Sequence, residues 1–164
     1  MAMFVHLAAE NVADAIGRNG IKRLRKSHIP EPGIYASPVV RNFFVSHQWL
    51  RELKRRGAGP LVGIYFRIPD EQHVWIAHYR QEHQRMSAAE ASGLIMKMSE
   101  PEGFEVIVPR KIEAAEIHKI RRLPQVVGWR YYPGAHGRKP CGCPVCLRRG
   151  EYGSKKLRED YEAD

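Results

Sequence analysis

Leu61-Val62-Gly63-Ile64-Tyr65-Phe66-Arg67-Ile68, shut in by Pro60 and Pro69, is the stretch that decides the fold class. It is rich in β-branched and aromatic residues and carries one charge, Arg67. The flanking prolines hold it below the length of a buried helix, so it reads as a strand. Toward the N-terminus, residues 3–7 read as a second strand. Glu10-Asn11 stands where it can cap a helix built on Val12, Ala13, Ala15 and Ile16, which Asn19-Gly20 ends. Val39, Val40, Phe43, Phe44, Trp49, Leu50 and Leu53 recur at roughly helical spacing and predict a helix that runs out at Arg56-Gly57. Toward the C-terminus, residues 74–79 and 104–108 read as strands. Between them Ser87 and Glu90 form an S-x-x-E capping box, opening a helix with Leu94, Ile95 and Met98 on its apolar side. Ile117, Ile120 and Leu123 follow, and residues 126–132 read as a closing strand.

Strands outnumber helices in a mixed order, which argues for α+β and not for a doubly wound parallel sheet. From Pro133 onward the sequence turns to Gly, Pro, Cys and basic residues without periodicity. That shift divides the chain into a domain over 1–132 and a tail over 133–164. At 164 residues, 43% of them hydrophobic, the chain can bury a real core. Its 27 Lys and Arg against 18 Asp and Glu give +9, a surface that attracts nucleic acid or anionic cofactors. No apolar run reaches bilayer-spanning length, so no membrane is expected. Residues 1–9 lack a basic flank and a cleavage pattern, and the expected location is the cytoplasm. The absence of a Gly-rich dinucleotide fingerprint or phosphate loop removes support for a dehydrogenase or a P-loop NTPase.

Three segments each set one polar or aromatic side chain among apolar ones: Phe4-Val5-His6-Leu7-Ala8, Gly33-Ile34-Tyr35-Ala36-Ser37 and Gly103-Phe104-Glu105-Val106-Ile107-Val108. Each has an ordinary explanation by itself. His6 is then a core or rim histidine, Tyr35 a packing residue and Glu105 an exposed carboxylate on an edge strand. Glu105 is the one charge in its strand, so it faces either solvent or a functional cleft.

In this order and with these intervals the segments resemble the ADP-ribosyltransferase superfamily, over roughly residues 1–132. In that family a strand-borne His, a Tyr after Gly-Ile or Gly-Val, and a late Glu grip NAD and break its glycosidic bond. The resemblance implies mainly antiparallel, split β-sheets with flanking helices and NAD as a substrate. It implies that Glu105 is catalytic and that His6, Leu7, Ala8, Tyr35 and Ser37 bind NAD. His6 would hold the ribose, where a neutral imidazole offers one donor and one acceptor to a diol. Tyr35 would lie over nicotinamide. Bond cleavage passes through an oxocarbenium-like state, which needs a carboxylate such as Glu105 beside the growing positive charge. There are two departures. Leu7-Ala8 replaces the small Gly-Ser or Gly-Thr pair of many members, and Gly103 stands where arginine-modifying members carry Gln or Glu, so protein arginine is not the expected acceptor. The chain looks most like bacterial toxin-type members that modify nucleic-acid bases, which leaves room for an antitoxin or regulatory protein as partner. Lys22, Arg23, Arg121, Arg122, Arg138 and Lys139 are the expected contacts to single-stranded DNA or RNA, though such clusters are equally solvated surface. A related branch, which transfers an RNA 2′-phosphate to NAD, is a further alternative.

The three cysteines fall together. His136, Cys141, Cys143 and Cys146 supply one imidazole and three thiols within eleven positions, a standard structural set for tetrahedral zinc. Three reduced thiols in a loop are the plain alternative. A zinc-stapled basic tail would suit single-stranded nucleic acid, so a non-catalytic binding module competes with the enzyme.

Overall fold

The computed structural model describes residues 1–22, 31–55, 59–79 and 81–125. The strands are β1 (Ala2–Ala9), β2 (Ile34–Pro38), β3 (Leu61–Ile68), β4 (His73–His78), β5 (Gln84–Ser87), β6 (Phe104–Val108) and β7 (Ile117–Arg122). The helices are α1 (Ala13–Asn19), α2 (Phe43–Ser46), α3 (Leu50–Arg55) and α4 (Ala88–Lys97). All seven strands join one antiparallel sheet in the order β5-β4-β6-β2-β1-β3-β7, giving an α+β fold.

Alternation along the strands sets two faces. Phe4 and Ala8, Ile34 and Ala36, Ile64 and Phe66, and Val106 and Val108 lie on one face and form the larger core, which Ala88, Ala91 and Ile95 of α4 close. On the other face Leu7, Leu61 and Leu123 pack beneath Leu50 and Leu53 of α3. Helices on both sides explain why β3 is buried at seven of its eight positions, all but Arg67.

The α4 terminus matches its sequence signature. Ser87 Oγ accepts the Glu90 N–H at 3.2 Å while a Glu90 carboxylate oxygen accepts the Ser87 N–H at 2.8 Å, a box worth about 1 kcal/mol. The buried side of α4 is Ala88, Ala91 and Ile95, whereas Leu94 is 38% exposed and Met98 lies beyond the helix. No side chain of Glu10 or Asn11 caps α1, which follows a 3-10 turn over Glu10–Val12. The long helix read over residues 39–53 is two short ones. Asn42 Oδ1 accepts the N–H groups of Phe44 and Val45 and starts α2. At His47 the backbone leaves helical geometry, and its Nδ1 bonds the Phe43 carbonyl at 2.7 Å. β5 is a strand that periodicity did not announce. The closing strand at 126–132 and the tail over 133–164 lie outside the described residues.

Candidate functional site

β1 runs beside β3 for eight register pairs but beside β2 for only two, Phe4–Pro38 and Val5–Ser37. At its second further step the ladder would set Leu7 opposite Tyr35. At that step the Tyr35 carbonyl receives His6 Nδ1 at 2.8 Å. The imidazole thus stands at the opening between two strands, where it bonds the backbone of β2. A carbonyl partner requires a proton on Nδ1, so the neutral ring presents Nε2 as an acceptor. Burial pushes His6 below its ordinary value of 6.5, opposed by that carbonyl, which favours this neutral form.

Tyr35 pairs in register with Ile107, and Glu105 stands two residues before Ile107 on the same face. Diagonal neighbours of this kind have backbones about 7–8 Å apart, within reach of long side chains. Their proximity is felt electrostatically. Burial raises the Tyr35 phenol above its usual 10, and the Glu105 charge and then Tyr79 raise it further. Glu105 is 13% exposed, and its Oε1 accepts a hydrogen bond from His83 Nε2 at 3.0 Å. Trp49 donates its indole N–H to the Phe104 carbonyl at 2.9 Å and meets Tyr79 edge-on, ring centres 5.4 Å apart. Gln48 Oε1 accepts the Gly103 N–H. Gly103 has φ 85, and a Cβ there would run into the His78 ring, so this turn favours glycine.

The expected residues therefore distribute unevenly. Tyr35, Ser37 and Glu105 share one face, with Ser37 buried beside Val5. His6 alternates with Val5, so its Cβ starts on the opposite face and its ring meets Tyr35 through the backbone. Leu7 and Ala8 are strand residues: Leu7 packs on the smaller core and Ala8 is buried in the larger one. Lys22, Arg121 and Arg122 are exposed, Arg122 bonding Glu10 at 2.6 Å. Arg23, Arg138, Lys139 and the set His136, Cys141, Cys143 and Cys146 lie outside the described residues. Among the described residues no three His, Cys, Asp or Glu side chains gather as a metal site. No protein-family model, curated protein or solved structure matches this chain. No described helix is long and apolar enough to cross a membrane.

Sequence reading passed over Tyr79, Trp49 and His83. Tyr79 had a signal, since it continues the alternation Trp75, Ala77, Tyr79 on the face of Glu105. His83 had none, lying in the polar run Gln81-Glu82-His83-Gln84.

A second polar cluster lies farther along the same face. His47 is 3% exposed; its Nε2 meets the Tyr65 hydroxyl at 2.7 Å, its ring stacks on Phe43, and Lys119 Nζ lies 5.2 Å from the Tyr65 ring centre. Burial is the main cause that lowers His6, His47 and His83 alike from 6.5. Above 6.5 these rings are neutral in folded and unfolded chains. As pH falls below 6.5 the unfolded chain takes up protons first, so stability drops. Thermal melts should therefore show a melting temperature that declines as the pH is lowered from 6.5, and His47→Gln should flatten that decline. A melting temperature constant across this window would contradict the assignment of three buried neutral rings.

Proposed function

We propose that this chain transfers ADP-ribose from NAD to a nucleic-acid base and releases nicotinamide, on a split ADP-ribosyltransferase-like sheet that parts where β1 leaves β2. The observation that carries this reading is the meeting of Tyr35 and Glu105 on one face while His6 bonds the Tyr35 carbonyl at the neighbouring opening. A carboxylate in a site of this low exposure stabilises a ribosyl cation far better than one in water. Glu105 has that role. His6, neutral, accepts a ribose hydroxyl at Nε2. The Tyr35 ring packs on nicotinamide, its phenol protonated at neutral pH. Lys22, Arg121 and Arg122 contact acceptor phosphates, together with Arg23, Arg138 and Lys139.

In the same proposal His136, Cys141, Cys143 and Cys146 hold zinc with no coordination position left for water, so the metal folds the tail. Elemental analysis of purified protein should find about one equivalent, and less than about half would reject the site.

One observation favours a second reading, a binding module without catalysis. β7 exposes His118, Lys119, Arg121 and Arg122, and Phe43 and Phe44 are 37% and 41% exposed, as a strand-stacking surface needs. Incubation with labelled NAD and single-stranded DNA, RNA or protein separates the two. Label on a nucleic acid with nicotinamide release supports the transferase. Tight, salt-sensitive binding without nicotinamide release supports the module.

A further inference from the structure

We infer that His83, which lies outside the set His6, Tyr35 and Glu105, is the positioning residue that aims the Glu105 carboxylate during transfer. The inference rests on the transferase reading and adds to it a group that holds one oxygen of the carboxylate.

Two observations and one consequence of carboxylate geometry carry it. First, His83 Nε2 lies 3.0 Å from Glu105 Oε1, with side chains only 9% and 13% exposed, so water competes weakly for either partner. Second, the register sets Ala77 directly opposite Glu105. A methyl group leaves the flank of the carboxylate open, and the loop just beyond β4, turned by the Gln81 N–H to the His78 carbonyl at 2.9 Å, brings His83 into it. Third, fixing Oε1 fixes the plane of the carboxylate and so the direction of Oε2.

The charge state matters as much as the direction. A neutral imidazole that donates Nε2–H leaves the carboxylate its full negative charge, whereas an imidazolium would offset it. In the transfer the C1′–nicotinamide bond breaks and its electron pair departs with nicotinamide. The acceptor's lone pair forms the new bond to C1′, and the acceptor's proton passes to Glu105. Both the cation and the proton need a carboxylate that is ionised at the start. Burial lowers His83 from 6.5, so the donating neutral form prevails at neutral pH. Titratable or charged groups on this face include Tyr35 from β2, whose phenol burial holds above its usual 10, Tyr79 just after β4, and Arg85 of β5, which pairs in register with Trp75. His78 points to the other side of β4, against the Phe104 ring.

The test compares His83→Gln, which keeps a donor that does not titrate, with His83→Phe, which keeps the bulk without the donor. With NAD and the acceptor that the wild type modifies, His83→Phe should lose on the order of tenfold to a hundredfold in kcat with KM for NAD nearly unchanged. His83→Gln should recover most of that loss and shed the fall in rate that the wild type shows as the pH drops below 6.5. Equal kcat in wild type and His83→Phe, or a His83→Gln profile with the wild-type acid limb, overturns the role of His83 while leaving the transferase standing. If His83→Phe does not fold, the His83→Gln profile alone decides. A wild type inert toward every acceptor rejects the transferase reading and this inference with it.

Discussion

Replacing Glu105 with glutamine is expected to cut NAD turnover by on the order of a hundredfold to a thousandfold without disturbing the fold. The two side chains have the same shape, and the amide oxygen can still accept from His83, so the 3.0 Å contact survives in neutral form. What goes is the negative charge beside the bond that breaks. In a site this poorly solvated that charge is weakly screened, and its loss raises the barrier in the step that generates the ribosyl cation. The expected signature is a fall in kcat with little change in KM, measured as nicotinamide release, alongside a melting temperature close to that of the wild type. A variant that turns over NAD at the wild-type rate would remove Glu105 from the chemistry.

Gly20→Ala should unfold the domain far more readily. Gly20 has φ 78 and ψ −177, a region open to glycine and essentially closed to other residues. A Cβ at this position would overlap the carbonyl oxygen of Ile112 and press on Ala114 N at 3.0 Å and Glu113 C at 3.1 Å, all of them backbone atoms with nowhere to move. Relief means pulling Ile21 away from Ile112. That would break their paired hydrogen bonds of 2.8 and 3.0 Å and open a contact where the two side chains are 4% and 0% exposed. Backbone strain and the two weakened bonds together come to about 3 kcal/mol or more. For a chain of this size that lowers the melting temperature by roughly 10 °C. Gly17→Ala is the control. Gly17 is exposed within α1, its added methyl would make an ordinary 3.5 Å contact with Ile120, and alanine suits a helix better, so a small gain is expected. Equal melting temperatures for the two variants would contradict the constraint at Gly20.

The strands β1, β3, β4 and β6 were readable because their signal is local. The β3 run between two prolines, the Glu105 strand and the capping box at Ser87 each state their structure within ten residues. The break between α2 and α3 was not local. Apolar spacing continued through residues 47–49, while the side chains of His47, Gln48 and Trp49 are committed to Phe43, Gly103 and Phe104. Gln48 and Trp49 find those partners 55 residues away, and no periodicity encodes that. The apolar side expected of α4 holds at Ile95, which is buried with Ala88 and Ala91, and not at Leu94, which is 38% exposed. At the candidate site, the sequence named Tyr35 and Glu105 from their isolation among apolar neighbours. It missed His83, whose tie to Glu105 depends on the size of Ala77 across the register.

Gln48 and Trp49 grip the main chain at the Gly103 N–H and the Phe104 carbonyl, immediately before Glu105, from a segment 55 residues away in sequence. The disorder of that corner is given up during folding and is not left for an arriving ligand to remove. Association there should resemble a key entering a cut lock, with the empty and filled forms nearly superimposable around residues 48–49 and 103–105.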